Sequence, residues 1–226
     1  MFGRRRKNDN SVETNTPESE ATTRSQGPWD IAEQPDLDER VDLGALRLQG
    51  VPGLELRLEL DQNTGEVSSA HAVIADSTMQ LQAFAAPKSR GIWDDIRAEI
   101  TEAITSGGGT VDVLDGDFGP ELRTRMPQAG PDGRTVYAPA RFVGVDGPRW
   151  FLRAVLSGTA AIDDAAAAPL LEVVRTAVVV RGDGPMAPRE LLPLTVPENS
   201  TPVDETEPTR DDLAPFERGP EITEVR

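Results

Sequence analysis

The stretch Arg141 to Ser157, RFVGVDGPRWFLRAVLS, constrains this chain more than any other. Two apolar runs rich in β-branched and aromatic residues flank Val145-Asp146-Gly147-Pro148. Asp-Gly between such runs signals a hairpin, because glycine accepts the positive φ of a tight turn. In the second arm Trp150, Leu152, Ala154 and Leu156 alternate with Phe151, Arg153 and Val155, so both faces of the strand carry bulk. That pattern belongs to a central strand covered on both sides. Arg153 is the one charge set into it.

Further strand patterns surround this hairpin. Leu54, Leu56, Leu58 and Leu60 alternate with Glu55, Arg57 and Glu59, as in a half-buried strand. Asn63-Thr64-Gly65 turns the chain into a second strand, Glu66 to about Ile74, and Asp76-Ser77 into a third, Met79 to Ala85, making an antiparallel meander. Ser89 to Ser106 then reads as an amphipathic helix with Ile92, Ile96, Ile100 and Ile104 on one face. Gly107-Gly108-Gly109 stops it, and because these glycines follow a helix they are not a phosphate-cradling loop. Strands are expected again at Thr110 to Leu114 and near Glu121 to Met126, around a turn at 115–120 that lacks the ligand set of an EF-hand. Met126 to Arg134 reads as a Pro/Gly-rich loop. Asp163 or Asp164 caps a second helix running to about Arg175, with Pro169 either in its first turn or preceded by a separate turn of alanines. Ala177 to Arg181 reads as a last strand, and Pro185 to Pro197 as an extended arm whose Leu191, Leu192 and Leu194 need cover. The expected class is α+β: a mainly antiparallel sheet, meander plus central hairpin, packed with two helices.

Residues 1–27 and 198–226 carry almost no apolar period and are expected to be disordered tails, the first basic and polar, the second acidic. Residues 28–197 form a single domain in this reading, with Trp29 as an anchor at its start.

Composition removes whole classes of chemistry. With no cysteine there is no disulfide framework, thiolate metal site or cysteine nucleophile, and a single histidine, His71, removes most zinc and triad constellations. His71 reads as a sheet-face residue with a hydrogen-bond partner or water, since no nucleophile or orienting carboxylate is near it in sequence. A net charge of -16 argues against a general nucleic-acid binder. Arg4, Arg5, Arg6 and Lys7 read as a solvated tail; their functional alternative is weak contact with an anionic membrane surface or nucleic acid. No apolar run is long enough for a transmembrane segment. Met1 to Lys7 looks like the start of a signal peptide, yet polar Asn8 to Glu20 follows where an apolar core should be, so a cytoplasmic location is expected.

No catalytic residue, metal site or cofactor is expected, and an enzyme is the less favoured reading. The candidate binding residues are Arg153 between aromatics and Arg97 beside Trp93, with Trp93 and Trp150 as aromatic walls. Such arginines clamp an anion by paired hydrogen bonds; their ordinary role is a surface charge or an ion pair. The leading function is a non-catalytic binding or adaptor domain for a protein partner. The alternative is a small-molecule or anion-binding domain, or a small enzyme using Arg and carboxylates.

The segments GIWDDIRAEI (Gly91 to Ile100), RFVGVDGPRWFLRAVLSG (Arg141 to Gly158) and PMAPRELLPL (Pro185 to Leu194), in that order, resemble the actinobacterial domain-of-unknown-function family 3710. The resemblance covers roughly Trp29 to Pro197 and implies an actinobacterial cytoplasmic protein, with no family activity to carry over. The order of elements is also similar to the Mog1/PsbP type of α/β/α sandwich, an analogy of architecture that carries no function.

Overall fold

The computed structural model describes residues 26–130 and 133–197. Of the disordered tails expected at 1–27 and 198–226, residues 1–25 and 198–226, with the basic cluster Arg4 to Lys7, lie outside the described residues. Gln26 and Gly27 belong to the fold, Gln26 bonding Asp117 and Arg175. In chain order come β1 (Trp29–Asp30), β2 (Val41–Asp42), β3 (Leu46–Leu48), β4 (Glu55–Leu60), β5 (Val67–Ile74) and β6 (Ser77–Ala85). Helix α1 (Trp93–Ser106) leads to β7 (Thr110–Gly116), β8 (Gly119–Ala129), β9 (Thr135–Gly147) and β10 (Trp150–Gly158). A 3-10 turn (Thr159–Ala161), α2 (Asp164–Thr176) and β11 (Val178–Val179) follow.

Seven strands form one antiparallel sheet in the order β4-β5-β6-β10-β9-β8-β7. The expected meander and the hairpin are both present, and β10 is the middle strand. Its alternation sorts its side chains as expected. Trp150, Leu152, Ala154 and Leu156 enter the main core with Leu170, Val173 and Val174 of α2 and Leu46, Leu48 and Val179 of a second, four-stranded sheet, β1-β11-β3-β2. Phe151 points the other way, into a smaller cluster with Ile92 and Trp93 under α1. The fold is therefore α+β, with α2 and the small sheet on one face and α1 on part of the other.

The arm is present too. β5 stops pairing with β6 at Ala70, opposite Leu81, and beyond that point the chain at 189–192 takes over the edge. The Leu192 amide donates to the Ala83 carbonyl and the Ala85 amide to the Glu190 carbonyl, each at 2.8 Å. Leu192 and Leu194 become core residues, 1% and 6% exposed.

Five local expectations are corrected. The hairpin turn is Pro148-Arg149, not Asp146-Gly147: Gly147 pairs with Trp150, and the positive φ of 63° falls on Arg149. Gly147 is needed for space, since a Cβ there would lie 2.1 Å from the Trp150 ring. α1 begins at Trp93 rather than Ser89, because the carboxylate of Asp146, far away in sequence, accepts from the Ile92 and Trp93 amides and sets the first turn. Pro169 is neither in the first turn of α2 nor after a separate one; Asp163 caps the helix, and the apolar face of Leu170, Leu171, Val173 and Val174 carries it through the proline. The last strand is only Val178–Val179 and belongs to the small sheet, parallel to β1.

The fifth correction concerns the expected loop Met126–Arg134. β8 and β9 stay paired out to Ala129 and Thr135, while β7 stops opposite Arg125 and β10 opposite Arg141. A two-stranded ribbon thus projects beyond its neighbours. Pro127 and Pro139 are tolerated in it because each lies where only one neighbouring strand is present.

Candidate functional site

The four residues singled out from the sequence do not form one site. Trp150 is fully buried, and its indole N–H donates to the Asp30 carboxylate at 2.8 Å. It joins β10 to the small sheet and cannot touch a ligand. Trp93 lies on the opposite face, 5% exposed, with its indole N–H on the Pro120 carbonyl at 2.7 Å. Its ring covers Gly144, where a Cβ would lie 2.2 Å from it. A stack runs from there: Trp93 to Phe151 at 5.7 Å, Phe151 to Phe84 at 6.0 Å, and the Arg153 guanidinium 5.4 Å above the Phe84 ring. Arg97 has no part in it. It bonds Asp94 one turn back on α1, at 2.8 Å.

Among the described residues Arg153 has no carboxylate of the kind a buried guanidinium ordinarily requires. Among the described residues its partners are the side-chain carbonyl of Gln82, directly opposite on β6, and the Phe84 ring, while its Nε is buried without an acceptor. Burial pushes its pKa below the usual guanidinium value. The expected ion pair is therefore replaced by an amide and a ring. Neither hollow described below has Arg153 in its lining.

His71 gains neighbours that are distant in sequence. The β4–β5 pairing brings Glu59 opposite Ser69, two residues from His71. The Ser69 hydroxyl donates to Glu59 at 2.6 Å, and the His71 Nε2 lies 3.0 Å from Ser69 and 3.1 Å from Glu59. The Ser69 hydroxyl, and then His71, hold the Glu59 carboxyl below its usual range. His71 is the expected hydrogen-bonded sheet-face residue, and a serine, a histidine and a carboxylate are brought together through strand register, but not as a triad. Serine and carboxylate meet the same ring nitrogen, so the carboxylate does not orient the imidazole from its far side. The serine is fully buried and donates to the carboxylate. Among the described residues no group of three or more His, Asp or Glu side chains is placed to hold a metal ion.

Among the described residues, two open hollows have functional side chains at their walls. One, of about 460 Å3, lies at the N-terminal end of α1, lined by Trp93, Asp117, Phe118 and Asp146, with Gln26 and Gly27 at its edge. The other, of about 320 Å3, lies on the α2 side of the sheet between β7 and the residues after the 3-10 turn. Leu114, Arg123, Arg125, Pro139 and Ile162 line it. Alternation along β9 places Tyr137 on the same face as Pro139. Leu114, Tyr137 and Ile162 are large apolar side chains 44%, 56% and 64% exposed. The groove borders β7, the outermost strand of its sheet. Beneath it Arg141 is buried against Glu121 at 2.8 Å, and Asp164 bridges Arg141 and Arg123 from the start of α2.

The sequence analysis did not single out Tyr137, Leu114 or Ile162. For Tyr137 the only signal was strand alternation continuing past the point where neighbouring strands end, while Leu114 is exposed because β7 is an edge strand and Ile162 because it follows the 3-10 turn.

A family model described as "Protein of unknown function (DUF3710)" matches residues 27–202. The chain belongs to this family. The match runs from the entry into β1 to beyond the arm, so the sheet, both helices and the groove are all parts of the DUF3710 unit. No curated protein and no solved structure matches the chain, and the likeness to the Mog1/PsbP sandwich rests on the order of elements alone. Among the described residues no helix is long and apolar enough to cross a membrane.

Proposed function

We propose that this DUF3710 chain is a non-catalytic, cytoplasmic binding module that recognises a protein partner through the groove beside β7. One observation carries the reading: Leu114 and Ile162 stay exposed in a hollow at the open edge of the sheet, and Tyr137 stays exposed on the same face of β9 beyond it. An outermost strand offers unpaired backbone groups to an incoming segment, and an adjoining groove receives its side chains. The Ser69, His71 and Glu59 geometry supports the same reading, because it suits hydrogen bonding rather than nucleophilic attack. The absence of cysteine is also in keeping with a reducing compartment.

A photoreactive phenylalanine analogue placed at position 137 or 162, in cells of the native host, tests it. The expected result is one discrete adduct, shared by both positions and lost with Leu114→Arg. No adduct, or the same adduct from position 60 on the opposite edge strand, overturns the proposal.

A second reading has its own observation, the Arg153 guanidinium without a carboxylate partner among the described residues. An anion site there predicts that inorganic phosphate shifts the amide resonances of Gln82 and Arg153 and that Arg153→Met abolishes the shift.

A further inference from the structure

One proline sets which backbone groups of β7 are free. Pro120 stands opposite Asp115 and has no N–H, so the two cannot form a hydrogen-bonded pair of the β7–β8 ladder. The alternation of the ladder then fixes the rest of the strand. Thr110, Asp112 and Leu114 direct their N–H and C=O groups to β8, while Val111, Val113 and Asp115 turn theirs to the open edge. An antiparallel segment bonded to those three residues places its intervening side chains directly opposite Leu114, Asp112 and Thr110, in the closer, non-hydrogen-bonded kind of pair. These three share the groove face of the sheet, because they stand opposite Glu121, Arg123 and Arg125, and Arg123 reaches Asp164 of α2.

The charges on that face differ in what they still need. Arg123 bonds Glu121 and Asp164, whereas among the described residues the exposed side chains of Asp112 and Arg125 have no hydrogen-bond or ion-pair partner. Leu114 and Ile162 supply the apolar part. Thr110 is short, and strands lie about 4.8 Å apart, so a carboxylate on the residue facing Thr110 comes within reach of the Arg125 guanidinium one strand further in.

Resting on the reading of this groove as a partner site, we propose that β7 takes an antiparallel segment of the pattern apolar-x-basic-x-acidic. Its apolar residue lies against Leu114 and Ile162, its Lys or Arg against Asp112, and its Asp or Glu towards Arg125. Backbone bonds to Val111, Val113 and Asp115 supply affinity, and the two charges fix register and direction. A second copy of this chain does not fit the pattern. β7, TVDVLDG, has no basic residue to set against Asp112, and two bodies of net charge -16 repel each other.

Two synthetic heptapeptides test this on the full chain, acetyl-TLTKTET-amide and the charge-swapped acetyl-TLTETKT-amide. Titration should shift the amide resonances of Val111, Val113 and Asp115. The first peptide should bind about fivefold or more tighter than the second at low salt, since two cross-strand charge pairs change sign between them. In the doubly exchanged variant, Asp112→Lys with Arg125→Glu, the preference should reverse; both side chains are exposed, so the fold is retained. No shift with either peptide, equal binding of the two, an unreversed preference, or shifts centred on β4 overturns the proposal. So does a concentration-dependent shift of Val113 in the protein alone, which would make a second copy the occupant. Each of these outcomes is separable from failure of the groove reading itself, which is the absence of a shared adduct from positions 137 and 162.

Discussion

Trp150 and Arg153 sit three residues apart on one strand and have opposite fates. Trp150 faces the main core at 0% exposure and also bonds Asp30 across to the small sheet. Trp150→Ala should cost about 3 to 5 kcal/mol, through the cavity and the lost bond together. A urea midpoint close to that of the parent chain would contradict this. Arg153 faces the other side, where among the described residues its charge has an amide and a ring but no carboxylate. Arg153→Met keeps the contact with Phe84 and removes a half-buried charge, so it should change stability by no more than about 1 kcal/mol. A loss of 3 kcal/mol or more in the same melt would mean that the guanidinium is held by more than Gln82 and Phe84. The strand position of both residues was legible in their alternation. The lack of a counter-charge for Arg153 was not, because it depends on which residue of β6 comes opposite, and that residue is Gln82.

At the scale of elements, both helices are fastened to the sheet through acidic side chains. Asp146 reaches from β9 to the first amides of α1, doing from another strand what an N-cap residue does locally, while Ile92 at the cap position offers no side-chain bond. Asp146→Ala should therefore cost about 0.5 to 2 kcal/mol and speed hydrogen exchange in the first turn of α1 before that of α2. Equal exchange in both helices would show that the cap is not what sets the start. α2 is tied through Asp164 to Arg123 and Arg141, whose inner partner is the buried Glu121. Glu121→Gln removes the buried partner of Arg141, leaving only the exposed Asp164 carboxylate, and should cost about 3 to 5 kcal/mol. Asp164→Asn, at a side chain 73% exposed, should cost about 1 kcal/mol or less. Calorimetric unfolding of the two variants giving the reverse order would place the main partner of Arg141 at the surface.

At the scale of the molecule, the main core lies beneath α2, the small sheet and an arm that belongs to no regular element. The arm completes the edge of β6 where β5 departs and inserts Leu192 and Leu194. Leu192→Ala should lower stability by about 2 to 5 kcal/mol and remove exchange protection from the Ala85 amide, whose acceptor is the Glu190 carbonyl. Protection retained at Ala85 alongside the loss of stability would show that the backbone pairing holds without the buried leucine. Among the described residues the arm does not extend to the α2-side face of the β7–β9 end, and the groove with exposed Leu114 and Ile162 is there, while α1 covers the other face.

What the sequence determined by itself was local: the alternation of β4 to β6 and of β10, the four-residue spacing of isoleucines in α1, the Asp163 cap, and the need of the arm's leucines for cover. These follow from side-chain direction and backbone conformation within a few residues. What the tertiary structure decided was everything set by partners distant along the chain. Asp146 moved the start of α1, and the 148–149 turn moved the hairpin because Gly147 had to make room for Trp150. The Glu59, Ser69 and His71 cluster exists only through strand register, and Tyr137 is exposed only because β8 and β9 outrun their neighbours. A pattern of residues specifies which face of an element seeks cover, whereas the lengths and register of its neighbours decide which of those faces receive it.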